Sequence, residues 1–375
     1  MFIKAINNFK IIFLQTNSST QKTSPNIVYW NFSKNNDFDS FTETTKPFSF
    51  RGSTSAGSTL KRIKDVITCP YFGIPMIKSW QIPKIDTALQ KATTVKKAVH
   101  FLKTYENNMQ ETEKIIFQKF KEAAPNSPRM TFQDLLKQWH DDALIKLKLE
   151  EFRIVDKIDT LSTKLTPKTE LAVRKITTEC RKIILENSPE NTFKRKTVLA
   201  SIDEIQPMIG EEKILEEIKD NANSLPMSAT SINAFIVKYS DRSHNEIARR
   251  LILPSVETIE HIVPDSLGGE NALKNFLLTS AGANNLRQNL PFTKFLKRFP
   301  QIKKNCQLYI DKIISIINNG GLRGHETYPY KVKATLRHES KKQIKLDLSE
   351  LKYSRAEAKE QEVKAKNYHY KHKKT

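Results

Sequence analysis

The chain has 375 residues, more than the roughly 100 to 200 of a single domain, so two domains or one domain with long appendages are expected. Lysine and arginine number 62 against 41 aspartates and glutamates, a net charge of +21 that points to a polyanionic partner, nucleic acid first among them. Cys69, Cys180 and Cys306 are too few and too scattered for a disulfide framework or a four-cysteine zinc site, and they fit a reducing, cytoplasmic setting. No run approaches the ~18 to 20 apolar residues that cross a bilayer, so no membrane partner is expected.

Taken in order, the opening MFIKAINNFKIIFLQ carries a short apolar stretch, Ile11 to Leu14, and no acid precedes Asp37. Few basic residues and no clear small-residue cleavage site argue for an arm over a targeting peptide. Residues 1–60, with the cluster RGSTSAGST at Arg51 to Thr59, read as a disordered or irregular arm. At Ile67 to Ile77, ITCPYFGIPMI contains Pro70, Gly73 and Pro75, which preclude a helix and favour a turn; Cys69 reads as packing.

Residues 61–225 are expected to form a mainly helical region. Leu89, Val95, Val99, Leu102, Tyr105 and Met109 mark one apolar stripe at helical steps. After the break at Pro125 and Pro128, Thr131 and Asp134 form a capping-box signature for a long helix to about Leu161. Thr166-Pro167 and Ser188-Pro189 mark two further helix starts, and Ser243 with Glu246 opens a short one. Trp139 and His140 read as bundle core. An apolar helix follows Asp311 and closes at Gly320-Gly321. Residues 326–375 are expected to be a basic C-terminal extension, ending in a charged helix after Leu351.

Chemistry concentrates in residues 226–325. Thr258 to Val263 is a β-branched run expected to be a strand, Pro264 to Lys274 a loop, and Phe276 to Thr279 a second strand pairing back. Ala283 to Asn289 then makes one or two helical turns. Hydrolysing a phosphodiester needs a base for water, and histidine, with an ordinary pKa of about 6.5, suits that work, which His261 would do. It also needs a cation on the phosphate oxygens, and a hard divalent ion takes oxygen ligands such as Glu260 and Asn284 offer. Neighbours on a regular strand face opposite ways, so Glu260 and His261 can share a site only if the strand is distorted there.

The stretch EHIVPDSLGG, with Asn275 and Asn284 following His261 by 14 and 23 positions and Arg287 close behind, resembles the HNH endonuclease family. The spacing is similar to that of the HNH domain in RNA-guided CRISPR nucleases; it covers about forty residues, and nothing resembling their other machinery is present. The resemblance implies a ββα-metal module and divalent-metal-dependent cleavage of DNA leaving a 5′-phosphate. By the same resemblance His261 is the base, Asn275 holds the loop and the His261 ring, and Glu260 and Asn284 hold the metal, Mg2+ first, with Mn2+ or Zn2+ open. Asn285 is a substitute ligand.

From Asn271 to Ile310 there is no acid, and Arg287, Lys294, Lys297, Arg298, Lys303 and Lys304 form a stripe expected to contact phosphates. Phe292, Phe295 and Phe299, interleaved with it, read as core. The fold class expected is mainly α, a helical region joined to a small α+β module, and the function a metal-dependent HNH endonuclease. The alternative is a catalytically inactive HNH-derived protein that binds nucleic acid.

Overall fold

The computed structural model describes residues 29–30, 43–44, 55–186, 191–288 and 290–372. The chain divides into two units. Of the first, the described part is an antiparallel pair, β1 (Tyr29–Trp30) with β2 (Glu43–Thr44). The apolar opening and the Ser188-Pro189 helix start lie outside the described residues.

The second unit is mainly helical, as its composition and periodicity lead one to expect. In chain order it contains α1 (Ser55–Lys61), α2 (Ile82–Lys91), α3 (Val95–Leu102), α4 (Glu111–Ala123), α5 (Phe132–Ser162), α6 (Pro167–Leu185), α7 (Asn191–Asp203), α8 (Glu212–Ala222), α9 (Ile232–Tyr239) and α10 (His244–Arg250). There follow β3 (Glu257–His261), β4 (Phe276–Ser280), α11 (Ala281–Arg287), α12 (Phe292–Arg298), α13 (Ile302–Asn318), α14 (Tyr328–Glu339) and α15 (Arg355–His372). No helix among the described residues is long and apolar enough to cross a membrane.

Both capping boxes form. The Thr131 hydroxyl accepts from the Asp134 N–H at 3.1 Å while the Asp134 carboxylate accepts from the Thr131 N–H at 2.8 Å, and Ser243 and Glu246 repeat the arrangement. The stripe from Leu89 to Met109 does turn inward, but over two helices and a 3-10 turn, because the chain breaks between Ala92 and Thr94. His244 bridges that break: its Nε2 contacts the Ala92 carbonyl at 2.6 Å, and its Nδ1 accepts from the Phe132 N–H at 2.9 Å. One correction concerns the arm, whose Ser55 to Thr59 portion is helical in α1.

Three apolar cores support the unit, and they cut across the limits drawn from sequence. One joins α2 to α4 and the start of α5 with α9 and α10. A second is built from the end of α5 with α6, α7 and α8. The third gathers Leu60 to Met76, β4, α12, α13 and α14 around Tyr309 and Tyr328, and reaches Leu351. The turn at Ile67 to Ile77 therefore packs with residues some two hundred positions on, and the expected C-terminal extension joins the same core from Tyr328 to Leu351. Phe292 and Phe295 are buried in this core and Phe299 packs against it, as expected.

Candidate active site

β3 and β4 form a two-stranded antiparallel sheet in the register Glu257↔Ser280 to His261↔Phe276, and α11 follows β4 directly. Strand, loop, strand, helix is the order read from the sequence. β3 is anchored at its start. Lys78 and Glu257 form a buried ion pair at 2.9 Å, while the Ile77 N–H donates to the Ser255 carbonyl at 3.0 Å and the Glu257 N–H to the Ile77 carbonyl at 2.9 Å, a short parallel bridge astride Val256. The turn at Ile67 to Ile77 thus lies beside the strand, and Cys69, a buried free thiol, accepts hydrogen bonds at 3.4 Å from the Ser280 N–H and hydroxyl.

The loop between the strands is closed by one side chain. Asn275 is buried; its Oδ1 accepts from the Val263 N–H at 2.8 Å, and its Nδ2 donates to the Val263 and Glu270 carbonyls at 3.0 Å each. Three bonds from one amide tie both ends of the loop together. Gly268 turns the chain with a positive φ of 82°, and at Gly269 a Cβ would lie 1.8 Å from the Val263 carbonyl, so no side chain fits there.

Asn275 holds the loop, as the resemblance implies, but not the His261 ring. That partner is Asn271, whose Oδ1 lies 2.8 Å from His261 Nε2. The ring also stands edge-on to Phe276 across the ladder, with centroids 4.8 Å apart. A carbonyl-type acceptor at Nε2 requires the proton there, which leaves Nδ1 as the basic nitrogen. Asn271 was not legible beforehand, since a loop asparagine carries no periodicity and no motif.

Glu260 sits in a different setting. It is 6% exposed, and the guanidinium of Arg287, itself 0% exposed, bonds to its Oε1, to the carbonyls of His261 and Ile262 and to the Tyr71 hydroxyl at 3.3 Å. Arg287 is therefore not a phosphate contact but the buried counter-ion of Glu260. Burial pushes the Glu260 carboxyl up to about 7 against the opposing pull of Arg287. The ladder stays in register through His261, with no bulge, so Glu260 and His261 leave the strand on opposite faces. The distortion that would bring the two together is not present.

Asn284 lies three positions before Arg287 on α11, and its Nδ2 donates to the Ile259 carbonyl at 3.5 Å, which sets the amide against the residue before Glu260. Arg287 takes Glu260 Oε1 and the Ile259 carbonyl takes Asn284 Nδ2, which leaves Glu260 Oε2 and Asn284 Oδ1 outside these two bonds. Two such oxygens fit a hard ion that keeps most of its waters. Among the described residues no group of three His, Cys, Asp or Glu is placed to hold a metal ion. Asn285 is half-buried beside Asn284.

The basic stripe is divided. Lys303 and Lys304 are exposed on α13, and Lys297 is exposed on α12. Lys294, by contrast, pairs with Glu216 of α8 at 2.9 Å, and Arg298 donates to the Asn223 carbonyl at 3.4 Å. Two of the expected phosphate contacts are thus engaged within the chain. No family model, no curated protein and no solved structure matches this chain.

Proposed function

We propose that the β3–β4–α11 module is a divalent-metal-dependent endonuclease of the HNH type, acting on DNA. The observation that carries the reading is the Asn275 clamp beside a half-exposed His261 whose Nε2 is held by Asn271. It presents one histidine nitrogen as a base at the rim of a loop fixed at both ends. His261 would accept a proton at Nδ1 from the attacking water. Glu260 and Asn284 would hold the ion, which when bound polarises the scissile phosphate, and bringing that ion to the phosphate that His261 faces requires β3 to twist between Glu260 and His261. Arg287 keeps the Glu260 carboxylate oriented toward α11. Lys297, Lys303 and Lys304 would position the backbone of the substrate.

A second reading, an inactive HNH-derived protein that binds nucleic acid, is favoured by two observations: Arg287 already neutralises Glu260, and the in-register strand keeps Glu260 and His261 apart. Incubation of the purified protein with plasmid and single-stranded DNA, with Mg2+ or Mn2+ and with chelator, separates the two. The nuclease reading expects chelator-sensitive cleavage, and expects Glu260→Ala to raise the metal concentration needed for half-maximal rate. Binding without cleavage under every metal condition supports the second reading.

A further inference from the structure

α12 has two faces. Phe292, Phe295 and Leu296 lie in the third core, while Lys294, Lys297 and Arg298, spaced three and four apart, face a cleft of about 570 Å³. The opposite wall of that cleft is α7 and α8. Leu215, Ile218 and Ala222 point into the second core, which leaves Glu216, Lys219, Asp220 and Asn223 on the cleft side. Asp203 of α7 takes Lys219 at 2.5 Å, so the acids of α8 remain for α12. Glu216 pairs with Lys294, and Asp220 lines the same cleft as Arg298. The walls share no apolar core. Among the described residues, an ion pair whose partners are each 56% exposed and a hydrogen bond to a carbonyl join them.

We propose that α8 acts as an internal phosphate mimic: Glu216 and Asp220 cover the basic face of α12, and a nucleic-acid backbone entering the cleft displaces them. The chemistry is that of exchange. An exposed ion pair is worth little and is screened by salt, whereas a polyanion brings several charges and releases its counter-ions. α12 begins five residues after the end of α11, and Gln288 and Leu290, which line the cleft, connect it in sequence to the helix of the candidate active site. The proposal rests on the reading of α12 as a phosphate-binding element.

The test is the affinity of the full chain for a fluorescently labelled DNA duplex, measured by anisotropy in EDTA across a salt series, for wild type and for Glu216→Gln with Asp220→Asn. The expected result is binding about three- to thirty-fold tighter at low salt, with a slope of log affinity against log salt steeper by up to about two as Lys294 and Arg298 are freed. Asp141→Asn with Asp142→Asn on exposed positions of α5 makes the same change in net charge and is expected to give a smaller gain. Adding Lys294→Ala and Arg298→Ala to the α8 variant should cancel its gain. Equal gains in the α5 and α8 variants, an unchanged affinity, or no DNA binding by any of the proteins would overturn the proposal. Because binding in EDTA does not depend on cleavage, loss of the nuclease reading alone leaves this result standing, and an active nuclease with an unresponsive α8 overturns only the mimic.

Discussion

Arg287→Met leaves the buried Glu260 carboxyl without its counter-ion and three hydrogen-bond acceptors unserved. A buried pair broken on one side typically costs about 3–5 kcal/mol, and the loss is to be read by urea denaturation. Adding Glu260→Leu should restore part of it, since both charges are then gone; a single variant as stable as wild type would contradict the buried pairing. Asn275→Ala removes three bonds and strands the Val263 N–H, at about 1–3 kcal/mol for an unsatisfied buried group, and should lower Tm as well as any cleavage. Asn275 was legible because an amide at that distance from a Gly-Gly loop fits a motif. The pairing of Glu260 with Arg287 was not: it depends on which way the first turns of α11 face the strand, and the composition of the segment offers a free arginine for phosphate just as well. Tyr71 and Asn271 gave no signal, the one fixed by a turn far away in sequence, the other by loop geometry.

At the scale of elements, His244 joins α10 to the start of α5 and to the end of α2, and it does so as a neutral imidazole, because Nδ1 must accept from the Phe132 N–H. Burial lowers its pKa from the ordinary value, with the Ala92 carbonyl and Asp134 pulling the other way. The unfolded chain takes up a proton that the folded chain refuses. This contribution is therefore complete above about pH 6.5 and is lost as pH falls through the lowered folded value. Denaturation at pH 7.5 and 5.5 should show a larger fall for wild type than for His244→Gln, and equal falls would show that the junction does not sense protonation. The capping boxes at Thr131 and Ser243 were readable because each is closed within four residues. The break at Ala92 was not, because it is held by His244 and by the Val95 N–H donating to the Met130 carbonyl, both contacts between distant segments. Likewise the strand order was clear from β-branched runs, while the register that separates Glu260 from His261 depends on the pairing itself.

For the whole molecule, the charge of +21 raises the expectation of a polyanion partner without locating its surface. The sequence offers one continuous acid-free stripe; folding buries Arg287, turns Lys294 and Arg298 toward α8, and leaves Lys297, Lys303 and Lys304 in solvent. Lys297→Ala with Lys303→Ala should flatten the salt dependence of DNA binding by up to about two units of slope without changing the metal requirement. A flattened slope only on truncation after Leu351 would move the grip to the C-terminal tail. In the proposed metal-dependent cut His261 acts as the base. The most direct measurement is the single-turnover rate of plasmid cleavage in Mg2+ for wild type and His261→Ala, with DNA affinity measured alongside. A rate lower by about 10² to 10⁴ at unchanged affinity is the predicted result, and cleavage by His261→Ala at the wild-type rate would contradict it.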